Sequence, residues 1–293
     1  MSIAWYDGIV VGVDGSAESL AALDWAAHAA ELHEARLTVV ATYGVPIGRD
    51  PGVGGLIGEM RDQAGRAAEA ARAWLVEHRP EDEDVEVLVT SGDAARELSR
   101  RSRTCGLVVV GRRGLGKLDR MVLGSTSSTL AAIAPGAVAV VPAGATTADP
   151  RRIRVGVGRE DEPDVLGAAF AEADVRGCAL EVLHVTSADT YSAVPPELDP
   201  VAASWREAAT ADLADRVARW SEKYPRVTCT IVIRRGNPAP ALLSGLTPED
   251  LLVVGGRRHQ AVMGRMLRSV PDAVLRAAPC TVLVGHAHRR PSA

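Results

Sequence analysis

One stretch near the middle of the chain has the residue types and the spacing of an anion-binding site. The apolar run Leu107–Val110 predicts a buried strand, and Gly111, two arginines and Gly114 follow it directly. Gly124 and Ser125 then precede an alanine-containing segment that predicts a helix. Where a strand, a glycine loop and a helix N-terminus meet, free backbone N–H groups and the helix dipole attract negative charge. The stretch therefore predicts a phosphate-binding loop.

The same residues also have a plainer interpretation, because a glycine-containing connection with a serine helix cap needs no ligand. The spacing is not that of a P-loop, and G-x-G-x-x-G does not follow the first predicted strand. It does match, position by position, the G-x2-G-x9-G-S motif with which the universal stress protein family binds ATP. The chain resembles that family over nearly its whole length, in two copies.

The resemblance implies which residues meet the nucleotide. Amides of the loop hold the triphosphate, Asp14 accepts from ribose hydroxyls or meets a Mg²⁺ ion on the phosphates, and backbone groups of Ala41 and Thr42 recognise the adenine. Ser125 is expected both to cap its helix and to donate to a phosphate oxygen. The full set of expected ATP-binding residues is Gly12, Asp14, Ala41, Thr42, Gly111, Arg112, Arg113, Gly114, Leu115, Gly116, Lys117, Gly124, Ser125 and Thr126.

Two properties of this loop stay open at the level of sequence. The side chains of Arg112, Arg113 and Lys117 either lie over the phosphates or are solvated. No catalytic residue is assigned, since the chain has no Walker lysine, kinase-type catalytic loop, H-E-x-x-H or G-x-S-x-G. Asp119 could orient a water molecule, but it lies in the variable span of the motif.

Composition limits the class of protein. Hydrophobic residues make up 47% of the chain and aromatic residues only 3%, so aliphatic side chains and alanine must fill the cores. A net charge of −4, from 33 basic and 37 acidic residues, argues against a dedicated nucleic-acid binder. No apolar run resembles a signal peptide or a bilayer span, and the four cysteines are scattered without a C-x-x-C. These features predict a cytoplasmic protein with reduced core thiols and no membrane partner.

Apolar runs alternate with segments of helical periodicity, which predicts an α/β fold with a parallel sheet covered by helices on both faces. Ser16 is expected to cap the first helix. Residues 44–58 are expected to form a flexible lid or connection before a helix over Glu59–His78. The resemblance implies strand order 3-2-1-4-5, of the adenine nucleotide alpha hydrolase-like type. Ligands of such sheets bind where the strand order reverses, which places Asp14 beside Gly111.

The whole pattern occurs twice. Gly92 and Gly236 begin matching segments 144 positions apart, and several other elements repeat at the same offset. A small polar linker over 143–150 separates the copies. The repeat predicts two tandem open parallel five-stranded sheets, in domains at 1–143 and 151–286. The fifth strands are expected to pair within the chain and join its halves as a pseudo-dimer, because unpaired sheet edges are a liability.

The second copy keeps the fold signals and loses most of the motif. Side chains at the replaced positions would project where phosphates lie, so only the N-terminal copy is expected to bind nucleotide. The arginines of the second loop either bind an anion through their side chains or form a charged solvated loop. These arginines are Arg257, Arg258, Arg265 and Arg268, and the replacements are Gly158 for Asp14, Arg258 for Gly114 and Arg268 for Gly124.

Three functions are compatible with these residues. The first is an ATP-binding stress or dormancy regulator, a homo-oligomer whose nucleotide occupancy changes the binding of a protein partner. The second is an enzyme of related architecture, an ATPase or a nucleotidyl or phosphoryl transferase, although only Asp14 is evident as a metal or base carboxylate. The third is a nucleotide-free module that dimerises. The first function accounts for the intact motif in one copy, with at most slow hydrolysis.

Overall fold

The fold is an alternation of strands and helices that repeats once along the chain. The computed structural model describes residues 6–45, 53–79, 85–115, 123–146, 149–158, 163–186, 200–256 and 270–285. The elements of the first half are β1 Gly8–Val13, α1 Ala17–His33, β2 Arg36–Tyr43, α2 Val53–His78, β3 Glu86–Ser91, α3 Ala94–Cys105, β4 Gly106–Gly111, α4 Ser125–Ile133 and β5 Ala137–Val141. Those of the second half are β6 Arg152–Gly156, α5 Pro163–Val175, β7 Ala179–Thr186, α6 Pro200–Lys223, β8 Cys229–Arg235, α7 Pro238–Leu243, β9 Asp250–Gly255, α8 Val270–Ala277 and β10 Thr281–Gly285.

All ten strands belong to one sheet, in the order β3-β2-β1-β4-β5-β10-β9-β6-β7-β8. The order 3-2-1-4-5 is confirmed in each half. Neighbouring strands are parallel everywhere except at the centre, where β5 and β10 pair antiparallel and Ala139 lies opposite Leu283. This pairing within the chain was expected. The pairing joins the two predicted five-stranded sheets into one continuous sheet of ten strands.

Helices cover both faces of the sheet, as predicted. One face is packed by α1, α2, α5 and α6, whose buried residues include Leu23, Ala71 and Phe170. The other face is packed by α3, α4, α7 and α8, with Leu130 and Val274 among the buried residues. Each core extends across both halves, so the central strands β5 and β10 are buried on both faces.

The start of α2 corrects one prediction. The segment 44–58 was expected to be a lid or connection, but α2 begins at Val53 and its first six residues lie inside that segment. Glycines lower helix propensity by about 1 kcal/mol each, which is why the sequence favoured a loop. Residues 46–52 of the expected lid lie outside the described residues. Ser16 caps α1 as predicted, since its Oγ accepts from the Ser19 amide at 3.2 Å.

A buried polar cluster also joins the two halves, and we call it the Glu172 cluster. The Glu172 carboxylate of α5 is fully buried and accepts from the Tyr6 hydroxyl at 3.0 Å. It also bonds His33 Nε2 at 3.1 Å and accepts from Arg176 Nε at 2.8 Å. Arg176 stacks over the Trp25 ring, 5.0 Å from its centroid. Tyr6, Trp25 and His33 belong to the first half, so the cluster fixes how α1 and α5 meet.

Burial and charge act in opposite directions on Glu172. Burial alone would raise the pKa of this carboxyl, but the charges of His33 and Arg176 and their hydrogen bonds outweigh it. The pKa of Glu172 therefore lies well below its usual range, and the group is ionised. Burial, followed by the adjacent Glu172 charge, raises the pKa of Tyr6 well above its usual value, so the phenol stays a hydrogen-bond donor.

Candidate functional site

The strand ends predicted to form the site meet at one edge of the sheet. Gly12 of β1 lies between Val40 of β2 and Val110 of β4, and Val13 is paired with Ala41. Asp14 therefore follows β1 at the point where the strand order reverses between β1 and β4. This is the position at which doubly wound sheets bind their ligands.

Asp14 links the two turns that follow β1 and β4. Its Oδ1 accepts from the Ser16 amide at 2.9 Å, and its Oδ2 accepts from the Leu115 amide at 3.0 Å. Leu115 itself is 53% exposed, so this bond lies at the rim of the crevice. The carboxylate that the sequence assigned to ribose or Mg²⁺ thus also positions the loop after β4.

Glu18 is part of the site, although the sequence did not indicate it. Its carboxylate is buried in the first turn of α1. Oε2 accepts from the backbone amide of Arg113 at 2.6 Å, and Oε1 accepts from Nε of the same arginine at 2.9 Å and from its Nη2. An acidic residue in a first helical turn usually complements the helix dipole, so its sequence position alone did not distinguish it.

Arg112 connects the loop to the second half of the chain. Its Nη1 donates to the carbonyl of Ala278, just after α8, at 3.0 Å. Nε is buried and has no hydrogen-bond partner among the described residues. Burial lowers the pKa of the Arg112 guanidinium. The sequence left open whether the side chains of Arg112 and Arg113 cover phosphates or are solvated. In the structure, each guanidinium group bonds a protein acceptor, and the phosphate contact stays a prediction.

The motif glycines are explained by close packing against the protein itself. A Cβ on Gly114 would lie 2.3 Å from Asp14 Oδ2, and one on Gly111 would lie 2.9 Å from the backbone of Glu18. A Cβ on Gly124 would meet the Arg112 carbonyl oxygen at 3.0 Å, and one on Gly12 would meet Leu98 Cδ1 at 2.7 Å. None of these four glycines has a positive φ, so close packing and not a left-handed torsion accounts for them.

The start of α4 differs from the prediction. Gly124, not Ser125, is the N-cap, and no side-chain hydrogen bond caps the helix. Ser125 is instead the first helical residue, with Thr126 after it. The buried Ser127 hydroxyl lies within donating distance of two carbonyls, those of Arg112 at 2.9 Å and Gly124 at 3.0 Å, and shares its one proton between them, which fixes the helix start against the loop. The first turn of α4 therefore has no side-chain cap on its amides, an arrangement that favours an anion.

The corresponding region of the second half is built differently. Gly158 stands in the place of Asp14, and its carbonyl accepts from Arg216 Nη1 at 3.1 Å. His184 Nδ1 lies 2.7 Å from the Val157 carbonyl, and the imidazole is buried. Two large side chains thus pack at the end of β6. The rest of the second loop, including Arg257, Arg258, Arg265 and Arg268, lies outside the described residues, as do Gly116 and Lys117 of the first.

The remaining candidates for chemistry in the described part of the chain are groups of metal-ligating side chains and the cysteine thiols. Within the described ranges, no three or more His, Cys, Asp or Glu side chains form a metal-binding group. The four cysteines are free thiols. Burial raises the pKa of Cys105 to about 11 and that of Cys280 to about 12, so neither thiol is a ready nucleophile. Over the same ranges, no helix combines the length and apolar character needed to cross a bilayer.

The strand order, with its reversal between β1 and β4 and helices on both faces, defines the class of doubly wound α/β proteins. The model of the universal stress protein family matches residues 6–142 and again 150–286. The chain belongs to that family, in its tandem form. The domain limits 1–143 and 151–286 stay a prediction.

Known members of the family resemble the whole chain. A universal stress protein of Mycolicibacterium smegmatis is 35% identical over 285 residues, covering 94% of this chain and 96% of its own. The crystal structure of a universal stress protein from Archaeoglobus fulgidus covers 96% of this chain and 98% of its own, with a TM-score of 0.68 and 19% identity, which shows the shared fold. Another solved member, in complex with cAMP, covers 46% of this chain and 97% of its own, with a TM-score of 0.36 and 25% identity.

Proposed function

We propose that the N-terminal half binds an adenine nucleotide, ATP, and that the protein acts as a stress- or dormancy-related regulator. One observation supports this most directly: α4 begins without a side-chain cap beside the loop after β4, and Asp14 bonds that loop through the Leu115 amide. A Cβ on Gly124 would lie 3.4 Å from the Arg113 Cα, and one on Gly114 would meet Asp14, so the start of α4, Arg113 and the carboxylate lie close together. A helix N-terminus of this kind is suited to a phosphate group.

The contacts in the loop change which groups we expect to hold the phosphates. The amide of Arg112 donates to the Val141 carbonyl at 2.8 Å, and those of Arg113 and Leu115 donate to carboxylates. We therefore assign the phosphates chiefly to the amides of the first turn of α4 and to the hydroxyls of Ser125 and Thr126. Gly116 and Lys117 remain proposed contacts.

The other proposed contacts follow the strand ends. Asp14 is suited to ribose hydroxyls, or to a Mg²⁺ ion that would neutralise phosphate charge when bound. Ala41 and Thr42 end the neighbouring strand, and their backbone groups are proposed to recognise the adenine. Gly12 lies in β1, and because it has no side chain, Leu98 of α3 can pack against its backbone. Its proposed role is to keep β1 close to α3, beside the ligand.

The second half is proposed not to bind nucleotide. It lacks the carboxylate of Asp14, and Arg216 donates to the carbonyl of the glycine that replaces it. Arg258 and Arg268 stand where the first copy has Gly114 and Gly124. In the first copy, Gly114 leaves room for the Asp14 carboxylate and Gly124 leaves room for the Arg112 carbonyl. Larger side chains at these positions would displace both groups. The asymmetry supports one nucleotide per chain.

We expect ATP to co-purify at about one molecule per chain, because a ligand that binds only the native state is retained and stabilises it. The measurement is denaturation of the purified protein and chromatography of the released nucleotide, followed by titration of the emptied protein. About two molecules per chain would contradict the proposed inactivity of the second half. Neither co-purified nucleotide nor binding on titration would favour a structural module. Rapid ADP production from ATP and Mg²⁺ would favour an enzyme.

A further inference from the structure

We propose that Glu18 is the positioning residue of the nucleotide loop, holding it in its binding shape from a buried site behind it. The proposal rests on the proposed function, since it concerns how the same loop is formed. Glu18 lies on α1, outside the G-x2-G-x9-G-S motif. It acts through Arg113 and contacts no expected ligand group directly.

The contacts of Glu18 fix both the main chain and the side chain of Arg113. One carboxylate oxygen accepts from the Arg113 amide at 2.6 Å, and the other accepts from two nitrogens of the guanidinium. The Glu18 side chain is only 8% exposed and that of Arg113 only 20%. Charge-assisted bonds of this kind are strong when shielded from water. The peptide before Gly114 is therefore fixed in one orientation.

Glu18 is itself attached to a rigid base. The first turn of α1 packs so closely on the end of β4 that a Cβ at Gly111 would lie 2.9 Å from the Glu18 carbonyl carbon and oxygen. Ser16 caps the same turn, and Asp14 accepts from the Ser16 amide. Two carboxylates, Asp14 just before α1 and Glu18 in its first turn, thus bind the amides on either side of Gly114. Asp14 holds position 115 at the rim, and Glu18 holds position 113 beneath.

This arrangement also determines the charge that a ligand meets. Glu18 neutralises Arg113, and Arg112 donates to the Ala278 carbonyl, so both guanidinium groups are bonded to protein. The attraction for phosphate then comes chiefly from the start of α4, which Arg112 and Ser127 hold against the loop. Loss of Glu18 would free Arg113 and its amide together, and would thereby change the loop rather than the adenine contacts.

The test compares Glu18→Ala and Glu18→Gln with the unaltered chain by calorimetric titration with ATP and with adenosine. We expect Glu18→Ala to weaken ATP binding at least tenfold, which corresponds to the loss of about one charge-assisted hydrogen bond. The same variant should weaken adenosine binding less than threefold. Glu18→Gln keeps one carbonyl oxygen for the Arg113 amide, so its ATP affinity should lie between that of the unaltered chain and that of Glu18→Ala. Asp174→Ala, which breaks an ion pair with Arg226 in the second half, is the control and should change neither affinity.

Amide hydrogen exchange of residues 111–115, measured without nucleotide, separates the two proposals. We expect Glu18→Ala to lose protection at the Arg113 amide, more than at the Leu115 amide that Asp14 bonds, while the β4 amides stay protected, which also shows that the variant folds. Unchanged exchange, or ATP affinity equal to that of the unaltered chain, would overturn the role of Glu18. If the unaltered chain binds no nucleotide but the exchange changes as expected, the proposed function fails and the positioning of the loop by Glu18 stands.

Discussion

Glu172→Gln is expected to lower the free energy of unfolding by about 3–5 kcal/mol, the usual result of removing one partner from a buried ion pair. The substituted amide can accept from Tyr6 and His33, but its NH₂ group would face the Arg176 Nε donor. The arginine would then keep a buried charge, with Asp149 at 3.9 Å as its nearest remaining carboxylate among the described residues. Urea denaturation at pH 7 measures the loss.

A milder change provides the matched control for this prediction. Tyr6→Phe removes one hydrogen bond to the same carboxylate and leaves the ion pair intact, so we expect a loss of only about 1.5–3 kcal/mol. If Glu172→Gln were no more destabilising than Tyr6→Phe, the Glu172 cluster would not be the main electrostatic contact between the halves.

The stabilisation by Glu172 should also depend on pH. Because the pKa of Glu172 is lowered on folding, its contribution is complete well above the unfolded value of about 4.3 and decreases as the pH falls below it. The difference in unfolding free energy between the unaltered chain and Glu172→Gln should therefore shrink by about 1 kcal/mol between pH 5 and pH 3.5. Denaturation curves at both pH values check the sign; a constant difference would show that Glu172 is not ionised.

The second large effect is expected at the site: Gly114→Glu should abolish measurable ATP binding. A Cβ at this position would lie 2.3 Å from Asp14 Oδ2, so Asp14 must move and release the Leu115 amide. The added carboxylate would also repel the phosphates. Because Gly114 is exposed, we expect the unfolding free energy to change by less than about 1 kcal/mol. Calorimetric titration and urea denaturation measure the two quantities.

The chain offers a matched control for the added charge. Gly58 is an exposed residue of α2, and a Cβ there would meet nothing within 4 Å. Gly58→Glu introduces the same side chain away from the loop and should leave ATP affinity unchanged. Retention of binding by Gly114→Glu, or an equal loss in Gly58→Glu, would contradict the proposed site.

The strands and their duplication could be predicted because they depend on features that the sequence shows directly. Unbroken apolar runs mark the buried strands, and the repeat at 144 positions marks the duplication. The resemblance supplied the order of the strands, and their order brought Asp14 and Gly111 together. The pairing of β5 with β10 followed from the need to cover two apolar edges.

The reasons for the motif glycines could not be predicted, because they depend on tertiary distances. Gly111 is small because the first turn of α1 passes close to it, and Gly114 is small because Asp14 reaches across. A sequence shows neither of these close contacts, so the simpler interpretation was that the glycines leave room for a ligand. Glu18 was missed for the same reason. The helical start of α2 was missed because its glycines have low helix propensity. Packing does not account for the helix there, since Gly55, Leu56 and Gly58 are exposed.

The antiparallel junction of β5 and β10 has a consequence for how such a chain can evolve. Two copies that associated as separate molecules would exchange partners, and their affinity would depend on concentration. Tethering makes the association intramolecular, with a high local concentration that dilution cannot change. Every molecule therefore contains one half with Asp14 and one with Gly158 in its place. The altered half is free to accumulate substitutions without ever producing an assembly made of two altered halves.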